Sequence, residues 1–511
     1  MQTTDNASTL IDANLEAGRG QKRALITATD EEWTFSDLHA AVCRVAARLS
    51  DLGVRREERV LLVMDDTPSF PSAFLGSMRI GAIPIPVNFL ARPEHFDYFL
   101  DDSYAVAAIV DTAFLDTVGP RVQSRPGVRL VVANGPAPGD AESLDDWLAG
   151  GVEEHDPVFA HPDDPGFWLY SSGSTGMPKA VVHRHADIGS TCRQYAHPIL
   201  GIGPGDVVFS STKMFHAYGL GNNLTFPLSV GATSVYLTGR PTPDRLLGRV
   251  RAHRPSIYFS VPALYNAILS HPDFDDTDWS SVRLGVSAAE PLPPETWHRF
   301  HERTGIEILD GLGSTEMLHI YCSNRAGRVR PGTSGTPVDG YELEIRDPEG
   351  EVVEGTEAGE LWVRGPSALM GYWHQVERTR SKLSGGWFAS GDRYHRDEDG
   401  HYVYEGRVDD MMKVGGLWVS PIEIENRLME HSSVSEAAVV GVEIDGDSRI
   451  KACVILVESA GTVDGLVPEL QEWCKAALLR YQYPHLIEFV DDFPRTPTGK
   501  IQRFMLRDSG A

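Results

Sequence analysis

The residues best suited to chemistry lie in a segment rich in serine and glycine that ends in a lysine. Small residues let backbone N–H groups close on phosphate oxygens, hydroxyl groups add donors, and the lysine adds a point charge. The Walker A spacing is absent, and the segment Ala180 to His183 predicts a strand after the loop, where a Walker A loop has a helix. A surface hairpin without a ligand is the alternative for an isolated Ser/Gly stretch. The predicted phosphate-binding residues are Ser171, Ser172, Gly173, Ser174, Thr175, Gly176 and Lys179.

Lysines and carboxylates elsewhere could serve the same chemistry. Only eight of the 46 basic residues are lysines, and Lys179 and Lys500 both stand in loop-like segments with glycine, where a flexible point charge suits phosphate. Glu316, in the segment Asp310 to His319, is a candidate for holding Mg²⁺, because a carboxylate beside phosphates can share a divalent cation with them. Taken alone, Glu316 could be a solvated loop residue, and Gly391-Asp392 could be an ordinary turn.

These segments closely resemble the signature motifs of the adenylate-forming superfamily, which comprises acyl-CoA and aryl-CoA synthetases, peptide-synthetase adenylation domains and luciferases. The other family motifs follow in the expected order across nearly the whole chain, as far as Pro494 to Ile501. The continuation Ser323-Asn324-Arg325 is especially similar to benzoate-CoA ligases and their relatives. The resemblance implies an enzyme that uses ATP and Mg²⁺ to convert a small aromatic carboxylic acid to an acyl-AMP and then transfers the acyl group to coenzyme A.

The resemblance also assigns nucleotide-binding roles. Lys500 of the closing motif enters the site for adenylation, Thr175 and Glu316 hold Mg²⁺, and Asp392 and Arg407 bind the ribose. The further nucleotide-binding residues that it implies are Ala288, Ala289, Glu290, Asp310, Gly311, Ser314 and Thr315.

Two positions depart from the family pattern. Ala180 follows Pro178-Lys179, where glycine is usual, and Ala289 stands where the family more often has glycine. We expect the methyl group at position 180 to alter the phosphate loop slightly without removing a donor side chain. We expect the methyl group at position 289 to alter the fit of the nucleotide.

The acid-binding pocket is assigned by the same resemblance to two segments, Lys213 to Gly221 and Leu312 to Ile320. Their side chains indicate a flat, partly apolar cavity that suits a substituted benzoate or a related aryl acid. His216, which we include among the catalytic candidates, and His319 could each meet a ring hydroxyl or amino group, or each could be a packed core histidine. The predicted pocket residues are Ala217, Tyr218, Gly219, Leu312, Gly313, His319 and Ile320.

A carboxylate that attacks the α-phosphorus of ATP brings two anions together, so the site has to neutralise charge and hold the reactants in line. Lys500, Mg²⁺ at Glu316 and the loop around Thr175 are expected to do this. In the family, the small C-terminal domain then turns about a hinge and presents a glycine loop, whose bare backbone allows the thiol to approach. The corresponding hinge and thiol-tunnel residues here are Asp409, Lys413, Gly415 and Gly416.

Composition excludes several other classes of protein. The formal net charge of -26 argues against a nucleic-acid partner, because binding to phosphate backbones needs clustered Lys and Arg. The five cysteines form no Cys-x-x-Cys pair, so neither a disulfide scaffold nor a zinc site is predicted. Residues 1–14 lack the features of a signal peptide, and no apolar run reaches the ~18 residues of a membrane span. We expect a cytoplasmic monomer or homodimer without a membrane partner.

The hydrophobic pattern predicts the elements that position these residues. Short apolar runs alternate with helical segments up to Phe300, which is typical of an α/β layer with a largely parallel sheet, and one such helix starts with Ser36 as its N-cap. From Tyr341 the pattern changes to short strands with Asp-Gly and Glu-Gly turns. We predict a large N-terminal domain of layered α/β subdomains plus a β-rich subdomain, residues 1–406, and a small mobile α+β C-terminal domain, residues 407–511.

Three alternatives for the function stay open at this point. The acceptor could be the phosphopantetheine of a carrier protein, an amine or another nucleophile, and we expect no carrier domain in this chain. A luciferase-like oxygenase would share the same motifs. A non-catalytic binding or regulatory protein is disfavoured by the joint presence of the residues expected to do the chemistry, which are Lys179, Glu316, Asp392, Arg407 and Lys500.

Overall fold

The computed structural model describes residues 6–151, 154–173, 176–408, 411–414, 417–444, 447–457, 465–479, 481–495 and 501–507. The hydrophobic clusters of these residues fall into two groups. One group uses residues between Ala7 and Tyr402, and the other uses residues between Met412 and Leu506. The chain therefore folds as a large N-terminal α/β domain and a separate C-terminal domain.

The first part of the N-terminal domain alternates strands and helices. Its strands are β1 (Arg23–Ile26), β2 (Glu32–Thr34), β3 (Arg59–Val63), β4 (Ile83–Pro86), β5 (Ala105–Asp111), β6 (Arg129–Ala133) and β7 (Glu142–Ser143). Its helices are α1 (Thr9–Glu16), α2 (Phe35–Asp51), α3 (Ser69–Arg79), α4 (Pro93–Ser103), α5 (Leu115–Gln123) and α6 (Leu144–Ala149). Five of the strands form a parallel sheet in the order β4-β3-β5-β6-β7.

Helix α2 begins two residues earlier than its predicted N-cap implies. Thr34 is the N-cap: its hydroxyl accepts the amide of Asp37, and the Asp37 carboxylate accepts the backbone amide of Thr34. This reciprocal capping box satisfies two amides that the first turn of a helix leaves without partners. The N-cap predicted at Ser36 is therefore wrong, because Ser36 already lies inside the helix.

The second part of the domain supplies a larger sheet. Its strands are β8 (Pro165–Gly173), β9 (Gly176–Arg184), β10 (Val207–Ser210), β11 (Thr233–Val235), β12 (Ile257–Ser260), β13 (Leu284–Ser287), β14 (Ile308–Gly313), β15 (Ile320–Ser323) and β16 (Thr336–Pro337). Its helices are α7 (His185–Thr191), α8 (Ala217–Leu220), α9 (Phe226–Val230), α10 (Pro243–His253), α11 (Pro262–Leu269) and α12 (Pro294–Thr304). The nine-stranded sheet has the order β16-β15-β14-β13-β12-β10-β11-β1-β2.

The central strands of this sheet, from β1 to β14 in that order, run parallel to one another. Parallel strands bring their carboxyl ends to one edge of a sheet, and ligands of open α/β sheets bind at that edge. The ends of β10, β12, β13 and β14 therefore place the predicted pocket and nucleotide segments side by side.

A β-rich part follows. Its strands are β17 (Glu342–Arg346), β18 (Gly359–Arg364), β19 (Gly371–Tyr372), β20 (Leu383–Ser384), β21 (Trp387–Arg396) and β22 (Tyr402–Arg407), and its helix is α13 (Val376–Lys382). Strands β17, β18, β21 and β20 are neighbours in one sheet, and β22 also pairs with β21. Strand β19 instead joins the hairpin of β8 and β9, which links the β-rich part to the predicted phosphate loop.

The C-terminal domain is a small α+β unit. Its strands are β23 (Met412–Val414), β24 (Leu417–Val419), β25 (Val434–Ile444), β26 (Asp447–Leu456) and β27 (Leu486–Phe489), and its helices are α14 (Pro421–Met429), α15 (Leu466–Lys475) and α16 (Arg503–Arg507). Strands β25, β26 and β27 form one sheet, and β23 pairs with β24. No helix in the described part of the chain is long and apolar enough to cross a membrane.

Every lysine ammonium group that the structure describes lies near a carbonyl or carboxylate oxygen. Lys22 Nζ donates to the carbonyl of Gly231 at 2.6 Å. The other described lysine ammonium groups lie near carboxylates, in the pairs Lys179–Glu316 (3.6 Å), Lys213–Asp65 (2.7 Å), Lys382–Glu360 (3.7 Å), Lys451–Glu488 (2.7 Å) and Lys475–Glu472 (2.9 Å).

Candidate active site

The predicted phosphate loop lies at the tip of a β-hairpin. Strands β8 and β9 are antiparallel, with Ser171 opposite Lys179 and Gly173 opposite Gly176. A strand follows the loop, as the sequence predicts. Ser171 Oγ is buried and has no hydrogen-bond partner among the described residues, so it is available to a ligand. Ser174 and Thr175 lie outside the described residues, as does the side chain of Ser172.

Lys179 and Glu316 meet beside this hairpin. Lys179 Nζ lies 3.6 Å from Glu316 Oε1, and both side chains are largely buried. The same carboxylate oxygen accepts a hydrogen bond of 2.9 Å from the hydroxyl of Tyr372. Burial lowers the pKa of the Lys179 ammonium, and the charge of Glu316 opposes that shift. The structure thus brings together a lysine and a carboxylate that stand 137 residues apart in the sequence.

The turn that carries Glu316 is fixed on both sides. Ser314 caps the short 3₁₀ turn Thr315–Met317 by accepting the amide of Met317. His183 Nε2 donates to the carbonyl of Thr315 at 2.7 Å, and its other ring nitrogen contacts Asp187 at 3.0 Å. Since His183 lies on β9, the phosphate hairpin and the Glu316 turn are held in one fixed relation.

Asp392 and Arg407 form a second polar pair. They face each other across β21 and β22, and Arg407 Nη1 donates to Asp392 Oδ1 at 2.9 Å. The Asp392 side chain is mostly buried, whereas Arg407 remains 45% exposed. Arg407 is the last residue of β22 and directly precedes the segment that contains Asp409. The domain boundary predicted at residues 406 and 407 stays a prediction, and Asp409 lies outside the described residues.

The segment Ala288 to Glu290 follows β13 at the carboxyl edge of the large sheet. Ala289 has φ of 79°, a left-handed conformation that disfavours residues with a side chain. This conformation gives a physical reason for glycine at that position. Glu290 Oε1 accepts the backbone amide of Ile501 from the C-terminal domain at 3.2 Å. In this arrangement the residue after Lys500 therefore contacts the segment predicted to face adenine.

Asp310 lies within the neighbouring strand β14 and is buried. Its Oδ2 accepts the amide of Leu292 at 3.2 Å. Burial raises the pKa of Asp310 to about 8, so the carboxyl group is protonated at neutral pH. A protonated carboxyl can donate as well as accept a hydrogen bond. Gly311, the next residue, packs closely against Ile320, since a Cβ there would lie 2.9 Å from Ile320 Cγ2.

An aromatic cage surrounds His319. Its ring lies 5.5 Å from that of Tyr218, 5.4 Å from Tyr195 and 4.4 Å from Phe226. His319 Nε2 also lies 3.2 Å from the side-chain oxygen of Asn222. Burial lowers the pKa of His319 to about 3, so this ring is neutral over the working pH range.

The remaining predicted pocket residues lie around the same cage. Gly313 is required by close packing, because a Cβ there would lie 2.8 Å from the carbonyl of His319. The packing at Gly219 is closer still, because a Cβ there would lie 2.0 Å from the carbonyl oxygen of Lys213. His216 precedes α8 and packs on Phe215, at 4.2 Å between ring centres. Ala217 and Ile320 are buried, and Leu312 is half-buried.

Several predicted residues lie outside the part of the chain that the structure describes. Lys500, Asp409, Gly415 and Gly416 are not among the described residues, nor is the side chain of Lys413, and their roles stay predictions. Ala180, the first departure from the family pattern, lies within β9 opposite Tyr170, and its methyl group is buried in the hydrophobic core.

The structure also adds residues that sequence reasoning missed. Tyr195 and Asn222 both enter the cage from short π-helical segments, Cys192–Ala196 and Gly221–Thr225. Tyr372 reaches Glu316 from β19. A pattern based on 3.6 residues per turn does not reveal a π-helical insertion, and no motif marked Tyr372.

Two known family models match the chain, one in each of its two domains. A model of AMP-binding enzymes matches residues 13–373, and a model of the AMP-binding enzyme C-terminal domain matches residues 423–500. The chain belongs to the AMP-binding enzyme family. The matched ranges of this AMP-binding enzyme include the phosphate hairpin, the Glu316 turn and the aromatic cage.

Individual relatives resemble this AMP-binding enzyme over its full length. A benzoate-CoA ligase of Thauera aromatica is 46% identical over 98% of this chain and 95% of its own. The structure of a benzoate CoA ligase from Burkholderia xenovorans LB400 superposes with a TM-score of 0.92 at 43% identity, covering 98% of this chain and 99% of that one. An anthranilate CoA ligase in complex with anthranoyl-AMP gives a TM-score of 0.96 at 38% identity, covering 100% and 98%.

Proposed function

We propose that the protein is an AMP-forming acid-thiol ligase that activates a benzoate-type acid with ATP and Mg²⁺ and transfers the acyl group to coenzyme A. The observation that carries this proposal is the position of the Lys179–Glu316 pair beside the phosphate hairpin, at the same sheet edge as the aromatic cage. The full-length similarity to a benzoate-CoA ligase supports the same reaction.

The nucleotide lies across the carboxyl edge of the large sheet in this proposal. The phosphates occupy the hairpin tip, where Ser171, Lys179 and the adjoining hydroxyls supply donors. The ribose hydroxyls bind Asp392, which Arg407 orients by a hydrogen bond of 2.9 Å. Adenine lies against Ala288 to Glu290, and the neutral carboxyl of Asp310 offers both a donor and an acceptor nearby.

The site fits a magnesium ion. Mg²⁺ prefers oxygen ligands and in phosphoryl-transfer sites is usually held by one or two carboxylates together with phosphates and water. Glu316 provides a buried carboxylate whose Oε1 is fixed by Tyr372, and Thr175 is the second proposed ligand. When bound, the ion offsets the negative charge of the triphosphate.

The acid lies with its ring against the cage of Tyr218 and His319. Aromatic rings pack favourably edge-to-face or offset at the distances found here, so a benzoate ring extends an existing cluster. Gly313 and Gly219 lie directly against the carbonyl groups of His319 and Lys213, so neither position can carry a side chain beside the proposed acid. His216 lies at the start of α8, where it can assist the carboxylate end of the acid.

Two half-reactions then follow. A carboxylate oxygen of the acid attacks the α-phosphorus, the bond to the bridging oxygen breaks, and pyrophosphate leaves. The sulfur of coenzyme A next attacks the acyl carbonyl carbon, and AMP leaves with the electrons of the broken C–O bond. We assign Lys500 to the first step, because Ile501, next to it in sequence, contacts Glu290.

The second step requires the C-terminal domain, residues 407–511, to turn about Asp409 and present Lys413, Gly415 and Gly416 to the thiol. Coenzyme A and ATP are abundant in the cytoplasm, which is the proposed location. A monomer or a homodimer is compatible with one complete site per chain. A carrier protein as the acyl acceptor is the alternative that the experiment has to exclude.

Pyrophosphate release tests this proposal. The full chain is incubated with ATP, Mg²⁺ and benzoates, hydroxy- and aminobenzoates, cinnamates or short fatty acids, each with and without coenzyme A. We expect aryl acids to give a signal that turns over only with coenzyme A and yields a thioester. An adenylate that coenzyme A does not discharge would indicate a different acceptor, and no signal with any acid would refute adenylation.

A further inference from the structure

The cations around the phosphate hairpin are more numerous than their carboxylate partners. Three pairs surround the site: Lys179 with Glu316, Lys382 with Glu360, and Arg407 with Asp392. A fourth cation, Arg378, is half-buried, and its guanidinium makes no hydrogen bond or ion pair with any described residue. A protein with a net charge of -26 thus keeps an unpaired cation at this place.

Helix α13 holds Arg378 at the site. The helix is anchored by its Thr379, whose hydroxyl accepts the backbone amide of Tyr372 at 2.9 Å. Gly371 packs against the same residue, since a Cβ there would lie 3.1 Å from Thr379 Cγ2. Tyr372 in turn contacts Glu316 and lies under the ammonium of Lys179, at 5.1 Å from its ring centre.

Arg378 lies close enough to this cluster for its charge to act on both Lys179 and Tyr372. It precedes Thr379, the residue that ties α13 to Tyr372, and it has no carboxylate partner among the described residues.

The other end of the same helix is also basic. Lys382 is one turn after Arg378, so both residues lie on one face of α13. The Cβ position of Gly391 lies 3.5 Å from Lys382 Nζ and 2.9 Å from Arg407 Nη2, so these two cations flank Gly391 on strand β21 together. The basic face of α13 thus lies between the phosphate hairpin and the Asp392–Arg407 pair.

We propose that Arg378 is a further phosphate-binding residue, which holds the β- and γ-phosphates of ATP and then the pyrophosphate that leaves. The inference rests on the proposed adenylation chemistry. An arginine fork matches phosphate oxygens and can bind them through two hydrogen bonds. AMP lacks these two phosphates, so its binding does not depend on Arg378.

Calorimetric titration of the full chain with Mg²⁺ and a non-hydrolysable ATP analogue, pyrophosphate or AMP tests this role. We expect Arg378→Ala to weaken binding of the analogue and of pyrophosphate about tenfold or more, as loss of a charge-assisted contact does, and to leave AMP binding unchanged. Arg378→Lys should recover part of the affinity. Arg380→Ala is the matched control, because Arg380 lies on the same helix, is 72% exposed and pairs with Glu377.

Kinetics give a second readout. Arg378→Ala should raise the KM for ATP and weaken pyrophosphate inhibition, while thioester formation from supplied aryl-AMP stays at the wild-type rate. Unchanged affinity for the analogue, an equal loss for AMP, or an equal effect of Arg380→Ala would overturn the role of Arg378. A wild-type chain that binds the analogue but activates no acid would refute the proposed function alone, and the comparison of ATP with AMP would still decide the role of Arg378.

Discussion

The hydroxyl of Tyr372 donates a hydrogen bond of 2.9 Å to Oε1 of Glu316, across 56 residues of sequence. Glu316 is the carboxylate that we assign to Mg²⁺, and the tyrosine fixes one of its two oxygens. Glu316 would therefore hold the ion with a carboxylate that this hydrogen bond has already positioned. The geometry of the proposed metal site thus depends on a residue from a different sheet.

Replacing Tyr372 with phenylalanine should loosen this carboxylate without changing its charge. A hydrogen bond to a charged acceptor contributes about 1.5 to 3 kcal/mol, so we expect the KM for Mg-ATP to rise about tenfold or more. Pyrophosphate release over a range of Mg²⁺ concentrations measures the effect. Tyr104→Phe is the control, since Tyr104 is 59% exposed. Identical Mg²⁺ and ATP dependence in the Tyr372 variant would contradict the assignment.

Lys500→Ala should separate the two half-reactions. The charge that neutralises the approach of carboxylate and phosphate is lost, so formation of acyl-AMP should fall by about 100-fold or more. Thioester formation from supplied acyl-AMP and coenzyme A should survive. Stopped-time assays of each half-reaction measure the two rates. Full adenylation activity in the variant would remove Lys500 from the first step.

Asp392→Ala should weaken the binding of every adenine nucleotide. Because Asp392 is proposed to bind the ribose, we expect ATP and AMP affinities to fall by a similar factor, about tenfold or more. This pattern differs from that of Arg378→Ala, which should spare AMP. Glu398→Ala is an exposed control in the same subdomain. Unchanged affinity for both nucleotides would place Asp392 outside the site.

Asp310 should make the stability of the enzyme depend on pH between about pH 4 and about pH 8. Its pKa in the folded state is about 8, above the ordinary value of 3.8, so the folded state keeps a proton that the unfolded state releases. The stability of the wild type should therefore fall as pH rises from about 4 to about 8, with a slope of up to about 1.4 kcal/mol per pH unit from this group.

Asp310→Asn removes this proton. Relative to the wild type, the variant should become more stable as pH rises through that window, in urea unfolding followed by tryptophan fluorescence. Its nucleotide affinity at pH 7 should stay close to that of the wild type, because Asp310 is already neutral there. If the stability difference between the two proteins does not vary with pH, Asp310 is ionised in the folded protein.

Ala289→Gly should stabilise the protein. Ala289 has φ of 79°, and a left-handed alanine costs about 1 to 2 kcal/mol that glycine avoids. The added freedom of glycine in the unfolded chain offsets part of the gain, so about 1 kcal/mol is expected. Thermal unfolding of Ala289→Gly and Ala288→Gly compares a left-handed position with its buried neighbour. An equal loss of stability in both variants would contradict the strain at Ala289.

Much of the fold could be predicted from local patterns. The predicted alternation of strands and helices up to Phe300 is confirmed, and the short strands predicted from Tyr341 begin with β17. The strand after the phosphate loop became β9, which confirms that the hairpin is not a Walker A loop. These elements are set by apolar periodicity and by turn residues close in sequence. Such patterns place boundaries less well, as α2 shows, because its N-cap is Thr34 and not the predicted Ser36.

Site residues could be predicted from the sequence only where they lie in a recognisable motif. Lys179 and Glu316 lie in recognisable motifs, and the structure brings them together. Tyr372 and Arg378 lie in no such motif, and they reach the site because β19 pairs with the hairpin. Tyr195 and Asn222 depend on π-helical turns, whose extra residue shifts the helical phase. Contacts of this kind arise from tertiary packing between segments far apart in the chain, and local sequence patterns do not reveal them.

The engagement of the lysines has a consequence for an enzyme that makes mixed anhydrides. An aryl-AMP that escapes the site is an acylating agent, and the amines of the chain that produced it are the first nucleophiles it meets. Here lysines are scarce, and those whose side chains are described already hold a carboxylate or carbonyl oxygen. The described lysines are thus held as paired ammonium groups, a form in which an amine is a poor nucleophile towards the intermediate.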